Sequence, residues 1–152
     1  MSTRLPRHPG GGFTLAKLVT ALVVVAVLAA IAVPTWRTHT LRVRRTDAIE
    51  ALTALQAAQD GYFGRHARYA DAAQLALAVP GGLGLADRSA QGHYRIELRA
   101  SDDSLGYLAT ARPVSTDAQA ADSRCSEFSI DHSGRRRAVD AGGTDRSKDC
   151  WQ

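Results

Sequence analysis

The sequence predicts an α+β fold in which one long N-terminal helix packs on a four-stranded antiparallel sheet. Three observations support this prediction. An almost unbroken apolar run extends from Leu18 to Val33, one-sided apolar spacing continues to Tyr62, and segments of alternating polarity begin only after position 92. A run of helix followed by a run of strands is typical of the α+β class.

The apolar run is long enough to cross most of a membrane. Its 16 residues, Leu18 to Val33, carry no charge and one hydroxyl group, that of Thr20. At 1.5 Å per residue this run is about 24 Å long as a helix. Pro34 has no backbone N–H and disfavours helical geometry at Val33, so we expect a kink or local melting there.

Beyond Pro34 the pattern predicts that the helix continues and becomes amphipathic. Successive apolar residues are spaced by seven, four, three and seven positions, which places them on one helical face: Leu41, Ala48, Leu52, Leu55 and Tyr62. Charged residues are predicted on the other faces: Arg44, Arg45, Asp47, Glu50 and Asp60. One helix is therefore expected from about Phe13 to about Tyr62. A second, short helix is expected from Asp71 to Val79, capped by Asp71 and broken at Pro80.

Four strand-like segments follow. In the first, Tyr94, Ile96 and Leu98 alternate with charged residues, and a turn is predicted at 102–104. Residues 105–114 form the second strand, and 115–123 are expected to be a loop. Residues 125–140 read as a hairpin with its turn near 132–134, in which Phe128 and Ile130 face inward.

A short basic leader precedes the apolar run and ends at Gly12. A secretory signal is normally cleaved behind its apolar core, whereas here the break lies in front of it. The sequence from Gly12 and Phe13 to Leu18, followed by an apolar run and by Pro34 at position 22 counted from Phe13, resembles the class III signal of type IV prepilins. This resemblance implies cleavage between Gly12 and Phe13 by a prepilin peptidase and N-methylation of Phe13.

The C-terminal residues resemble the same family. Cys125, an alternating strand, Asp131, Gly134 and Cys150-Trp151 resemble minor pilins of the PilE and ComP kind. The implied architecture is the type IV pilin fold with a C-terminal disulfide-bonded loop. Two cysteines in an exported chain also predict one disulfide, between Cys125 and Cys150. Closing a loop of about 26 residues would stabilise the fold by about 3 kcal/mol.

The resemblance divides the chain into a leader (1–12), a transmembrane and filament-core half of the helix (13–36), an amphipathic half (37–62) and a globular head (63–152). The implied function is that of a structural minor pilin that supports pilus biogenesis. The implied partners are other major and minor pilins, the prepilin peptidase, the inner-membrane assembly machinery and the lipid of the inner membrane. The subunit would cross the inner membrane once with its head in the periplasm, and later enter a cell-surface pilus that serves adhesion, twitching motility or DNA uptake.

Lys17 departs from the family pattern, which has glutamate at the fifth mature position. The family's carboxylate neutralises the terminal ammonium of a neighbouring subunit during assembly. A lysine there would bring two like charges together in a low-dielectric core, which is unfavourable. Our hypothesis is that this protein is a rare component or occupies the filament tip. Pro34 is the second position that the resemblance assigns to assembly.

The composition points away from enzymes. The formal net charge of +4 includes +2 from the leader, so the mature chain would be near +2. The histidines fall on separate predicted elements without the spacing of metal ligands: His8, His39, His66, His93 and His132. No nucleophile or phosphate-loop motif is present, and we expect neither a metal nor a cofactor.

Two alternative functions remain open. The run Arg135, Arg136 and Arg137, joined by Arg146 and Lys148, would make candidate DNA contacts in a pilin receptor for natural transformation. Against this, residues 125–150 carry five basic and five acidic residues, and Arg136 should point away from its two neighbours on a strand. The other alternative is a type II secretion pseudopilin, which the disulfide disfavours because major pseudopilins use a calcium-stabilised loop. Trp36 is expected at the membrane interface, and Trp151 is expected to pack on the head.

Overall fold

The computed structural model describes residues 15–152, except for the side chain of Pro34. The elements in chain order are helix α1 (Leu15–His66), strands β1 (Tyr94–Ala100), β2 (Tyr107–Pro113), β3 (Glu127–Asp131) and β4 (Arg136–Val139), and helix α2 (Ser147–Cys150). The strands form one antiparallel sheet in the order β1-β2-β3-β4. The predicted long helix and four-stranded antiparallel sheet are confirmed.

The chain divides into two compact units, one ending at His39 and the other comprising Thr40–Gln152. In the first unit, α1 is helical without interruption through Val33 and Pro34. The local melting that we expected at Val33 is therefore not observed. A proline removes one hydrogen bond from a helix, and the remaining bonds of this long apolar segment hold the helical geometry.

In the second unit, α1 ends at His66, four residues beyond the predicted end. Gly61 and Gly64 lie inside the helix, where each costs about 1 kcal/mol relative to alanine. Tyr62, which lies between them, is 1% exposed and belongs to the core. Burial of this large side chain offsets the cost of the two glycines.

The core of the second unit combines the predicted helical face with the inner face of the sheet. Ala48, Leu52 and Leu55 are at most 1% exposed on α1, as their spacing predicts. On the sheet, one row of paired inner positions crosses all four strands: Ile96, Ala111, Phe128 and Ala138. The alternation seen in the sequence therefore assigns the faces of the strands correctly.

The connection from α1 to β1 differs from the expectation. The helix predicted from Asp71 to Val79 is reduced to one 3₁₀ turn, Ala72–Gln74, capped by Asp71. The chain then folds back, and Leu83 N–H donates to the Gln74 carbonyl at 2.9 Å. Gly82 makes this possible, because a Cβ there would lie 2.3 Å from the same carbonyl oxygen. The fold-back buries Leu75 and Leu83 in the core, which a longer helix would not do.

The segment between β2 and β3 is also more ordered than the loop that we expected over 115–123. It contains a 3₁₀ turn, Ala118–Ala121, capped by Asp117. Gln119 and Asp122 are buried there. The two predicted turns of the sheet are present, and Gly134 takes a φ of +77° in the turn between β3 and β4, where its N–H donates to the Asp131 carbonyl.

Candidate functional site

The first candidate region is the apolar surface of the first unit. Every residue from Leu15 to Val33 is exposed, including large side chains such as Leu15 at 79% and Ile31 at 67%. By length and composition α1 can cross a membrane. The hydroxyls of Thr20 and Thr35 donate to the carbonyls of Ala16 and Ile31, so neither needs water. The segment thus offers a continuous apolar surface that lipid or other apolar helices can cover.

The residues that the resemblance assigns to processing and assembly fall at the start of this region. Lys17 lies in the first turn of α1 and is exposed. Pro34 lies within the helix near the end of the first unit. Gly12 and Phe13, the expected cleavage and methylation site, lie outside the described residues.

The second candidate region is the C-terminal loop, which the disulfide closes as predicted. Cys125 and Cys150 are bonded, with their Cα atoms 6.0 Å apart, and both are at most 1% exposed. The loop lies beside β4, because Arg146 N–H donates to the Ala138 carbonyl and Asp145 pairs with Val139. Arg146 and Lys148 therefore belong to a segment that lies close to the arginine-containing hairpin. This is the arrangement that a basic patch shared by the loop and the hairpin would need.

Trp151 lies at the end of this loop and packs on the head, as expected. Its ring meets Phe128 edge-on with 5.9 Å between centroids. Arg136 covers the ring, with its guanidinium carbon 5.3 Å from the centroid. Arg136 thus contributes a cation–π contact to the C-terminal packing and is turned away from the outer face of the sheet.

Arg135 and Arg137 lie on the opposite side of β4 from Arg136. Both line a shallow cleft of about 300 Å³ on the outer face of the sheet, together with Glu127 and Asp131. Arg137 also lies 3.9 Å from Asp145. The structure therefore splits the arginine run and places acidic groups beside the two arginines that share a face.

The remaining candidate DNA contacts differ in their partners. Arg146 Nε lies 3.2 Å from Asp140. The pKa of Asp140 is lowered, first by the hydrogen bond that its carboxylate accepts from Thr144 N–H and then by Arg146. Asp140 is therefore charged at neutral pH and offsets Arg146. Lys148 is exposed and has no ion pair within residues 15–152.

A buried polar network in the second unit was not predicted. Arg45 donates two hydrogen bonds to Asp122, at 2.7 and 2.9 Å. The amide nitrogen of Gln119 lies 3.1 Å from Asp122 and 2.9 Å from the hydroxyl of Tyr94. Burial raises the pKa of Tyr94, so its hydroxyl remains protonated. The network fastens the segment between β2 and β3 to α1.

Asp47 is a second buried group, although its spacing predicts a position away from the apolar face of α1. It is 1% exposed and accepts a 2.6 Å hydrogen bond from the Ser89 hydroxyl. It also accepts backbone N–H bonds from Gln91 and His93, at 3.0 and 3.3 Å. Asp47 thus anchors the chain that enters β1. No sequence motif marks Arg45 or Asp47, because their partners lie more than 40 positions away.

The part of the chain that the structure describes contains no candidate metal site. Among residues 15–152, no three histidine, cysteine, aspartate or glutamate side chains gather in a way that could hold a metal ion. His93 instead contacts Asp117 at 3.1 Å, and that carboxylate also caps the 3₁₀ turn at Ala118–Ala121.

Three comparisons bear on the identity of this molecule. A comparison with curated proteins found no match. A solved structure, described as a high-resolution structure of a type IV pilin from Shewanella oneidensis, is similar with a TM-score of 0.44 and 23% sequence identity, over 63% of this chain and 89% of that chain. A family model described as type IV minor pilin ComP, DNA uptake sequence receptor, matches residues 34–129. Because that match covers more than half of the chain, the chain belongs to this family of type IV minor pilins.

Proposed function

We propose that this minor pilin is synthesised as a prepilin and is held in the inner membrane by segment 13–36 with its head in the periplasm. Prepilin peptidase then cuts between Gly12 and Phe13, and Phe13 is N-methylated. The inner-membrane assembly machinery inserts the mature subunit, with other major and minor pilins, into a pilus that reaches the cell surface. The observation that carries this proposal is the exposed apolar segment of α1, residues 15–33, in a chain of the minor pilin family.

In this proposal each of the four segments predicted from the sequence has its own role. Residues 1–12 are a removable leader, 13–36 enter the lipid and later the filament core, 37–62 join that segment to the head, and 63–152 form the head. The fit between segment 13–36 and a filament core is physical, because a helix that is apolar on all sides can exchange lipid for similar helices.

Intact mass and N-terminal analysis of the protein from sheared pili and from membranes test the processing step. A mature chain that begins with methylated Phe13, present in pili, is the expected result. The control is Gly12→Val, which should leave the chain uncut and confined to membranes. If the protein without substitutions is uncut and is found only in membranes, the proposed processing is wrong. The protein would then be a signal-anchored envelope protein.

Lys17 leads to a proposal about position in the filament. A lysine near the mature N-terminus would place like charges together if identical subunits surrounded it, so the subunit is proposed to be rare or at the tip. Quantification of the protein per pilus in Lys17→Glu and Lys17→Arg variants tests this. We expect the glutamate variant to become more abundant in pili and the arginine variant to remain unchanged. Equal abundance in both variants would remove the basis for a tip position.

DNA binding is the second candidate function, favoured by the family's description as a DNA uptake sequence receptor. The match to that family ends at residue 129, before the arginine run. Arg135 and Arg137 line the same cleft, and we propose them, together with Lys148, as phosphate contacts. Any such binding would depend strongly on salt, because it releases counterions from the DNA backbone.

The test is duplex DNA binding by the full chain in detergent, at several salt concentrations. Arg135→Ala with Arg137→Ala should weaken binding and reduce the slope of log affinity against log salt by about two. The matched control is Arg65→Ala, which removes an exposed arginine in the last turn of α1, away from the sheet. Unchanged affinity of the double variant at low salt would show that this face is not the DNA site.

A further inference from the structure

A cleft outside the arginine-containing hairpin is lined by three arginines. It has a volume of about 290 Å³ and lies between α1 and the disulfide loop within the second unit. Its basic residues are Arg42 and Arg45 on α1 and Arg124, the residue before the first cysteine. Asp149, Cys150 and Gln152 complete the lining. None of these residues has a part in the function proposed above.

The walls of this cleft are held in place without a ligand. The guanidinium group of Arg45 is fixed by its two hydrogen bonds to Asp122, and its side chain is only 10% exposed. The opposite wall is fixed by the buried disulfide of Cys150. A guanidinium group that is already oriented loses little conformational entropy when it binds an anion.

Counting side chains only, the three arginines of the cleft outnumber by one the carboxylates of Asp149, which lines it, and Asp122, which pairs with Arg45. Arg124 lies 3.7 Å from Asp149, and both side chains are more than half exposed. Such a pair contributes little, so Arg124 can turn towards a ligand. An excess of one positive charge matches a phosphodiester, which carries one negative charge. Arginine is also well suited to binding phosphate oxygens.

The short stretch of chain between Trp36 and Arg42 limits the distance from Arg42 to the membrane surface. Arg42 follows Trp36, which is predicted at the interface, by six positions. Even if fully extended, these six steps of the chain would span about 20 Å, which limits how far Arg42 can lie from the headgroups. Basic residues just outside a membrane span are attracted to anionic lipid headgroups.

We propose that this cleft binds the phosphate of one phospholipid headgroup, with a preference for anionic phosphatidylglycerol, while the subunit is held in the membrane. The proposal rests on the membrane-held state proposed above. Phosphatidylglycerol is preferred because the ammonium group of a zwitterionic lipid would add a positive charge beside the three arginines. The lipid orients the head relative to the membrane before the subunit is assembled.

The test uses the full chain in nanodiscs that contain phosphatidylcholine and phosphatidylglycerol in equal parts. After release into mild detergent, native mass spectrometry counts the lipids that stay bound, and lipid titration gives the affinity. The test variant is Arg42→Gln with Arg124→Gln, which leaves the buried Arg45 in place. The matched control is Arg95→Gln with Arg99→Gln, two exposed arginines on β1. Thermal melting checks that both variants keep the fold.

The unchanged protein should retain one phosphatidylglycerol in preference to phosphatidylcholine. The test variant should bind it about thirtyfold more weakly, and the control about as well as the unchanged protein. Equal losses in the two variants, or no preference between the lipids, would overturn the proposal. If duplex DNA affinity, measured in parallel, falls in the test variant while lipid affinity does not, the cleft belongs to DNA and the lipid proposal fails. Absence of the unchanged protein from cell membranes would overturn the membrane-held state as well, so the two failures are distinguishable.

Discussion

Residues 15–39 and residues 40–152 differ in where their apolar side chains lie. In the first unit, large side chains such as Leu22 and Leu28 are about 60% exposed. In the second, Leu52, Phe128 and Ile130 are completely buried. The second unit also buries ionised groups and satisfies them internally, as Arg45 and Asp122 do.

This contrast shows that the two units obtain their stability from different sources. The second unit has a core, a disulfide and internal partners for its buried charges. Residues 15–39 of the first unit have backbone hydrogen bonds but no core among their described side chains, so we expect lipid or other helices to cover their apolar surface. Substitutions should therefore affect one unit without affecting the other.

The largest effect is expected from Phe128→Ala. Phe128 is completely buried between the rings of Tyr94 and Trp151. Its truncation should lower the free energy of unfolding of the second unit by about 4 kcal/mol, because it leaves a cavity in a packed core. Chemical denaturation of the full chain in detergent, followed by tryptophan fluorescence, measures this. The control Leu108→Ala, at a half-exposed position, should cost less than about 1 kcal/mol. A loss of membrane association in Phe128→Ala would contradict the separation.

Arg45→Met should destabilise the second unit by about 3 kcal/mol. The substitution leaves Asp122 buried at 3% exposure without its charged partner, which is the costly way to break an ion pair. The control is the neighbouring Arg44→Met, whose ion pair with Asp117 is longer, at 3.6 Å, and more exposed. That change should cost about 0.5 kcal/mol. Denaturation midpoints of the two variants give the comparison, and equal midpoints would mean that Asp122 is satisfied by its other neighbours.

Val25→Asp should have an effect of similar size on the first unit alone. Val25 lies at the middle of the apolar run, where an aspartate costs about 2.5 kcal/mol of membrane insertion. The fraction of protein extracted with membranes should fall, and the denaturation midpoint of the second unit should remain unchanged. Val25→Leu is the control and should behave like the unchanged protein. A lower denaturation midpoint in Val25→Asp would show that the two units are not independent.

The sequence predicted the features that depend on local patterns. Alternation gave the faces of β1 and β3, helical spacing gave Leu52 and Leu55, and the cysteine count gave the disulfide. Alternation and helical spacing can be seen within a short stretch of sequence. A pair of cysteines in an exported chain has one common role, which is to form a disulfide. The division of the arginine run was also predictable, because neighbouring positions on a strand point to opposite faces.

The features that the sequence did not predict depend on distant residues. Asp71 to Val79 has helical composition, yet burial of Leu75 and Leu83 stops the helix after one turn. Arg45 was expected away from the apolar face of α1, and only the folded chain brings it to Asp122, 77 positions away. Tertiary contacts override local propensity at such places. The arginine-lined cleft was missed for the same reason, because its three arginines come from segments about 80 positions apart.

The smallest expected effect is a loss of stability on acidification. It should affect only the second unit, because the carboxylates with lowered pKa values lie there. In the second unit the pKa of Asp117 is lowered by Gln119 N–H and then by His93, and the pKa of Asp145 by the Ser147 hydroxyl. A lowered folded-state pKa means that the unfolded chain binds more protons, so this stabilisation is complete above about pH 4 and is lost as the pH falls below it. Residues 15–39 contain no carboxylate side chain. The melting temperature of the second unit should therefore fall below about pH 4, less steeply in Asp145→Asn, while the helical signal of the first unit persists. A melting temperature that is constant across this range would show that these carboxylates are equally well solvated in the unfolded chain.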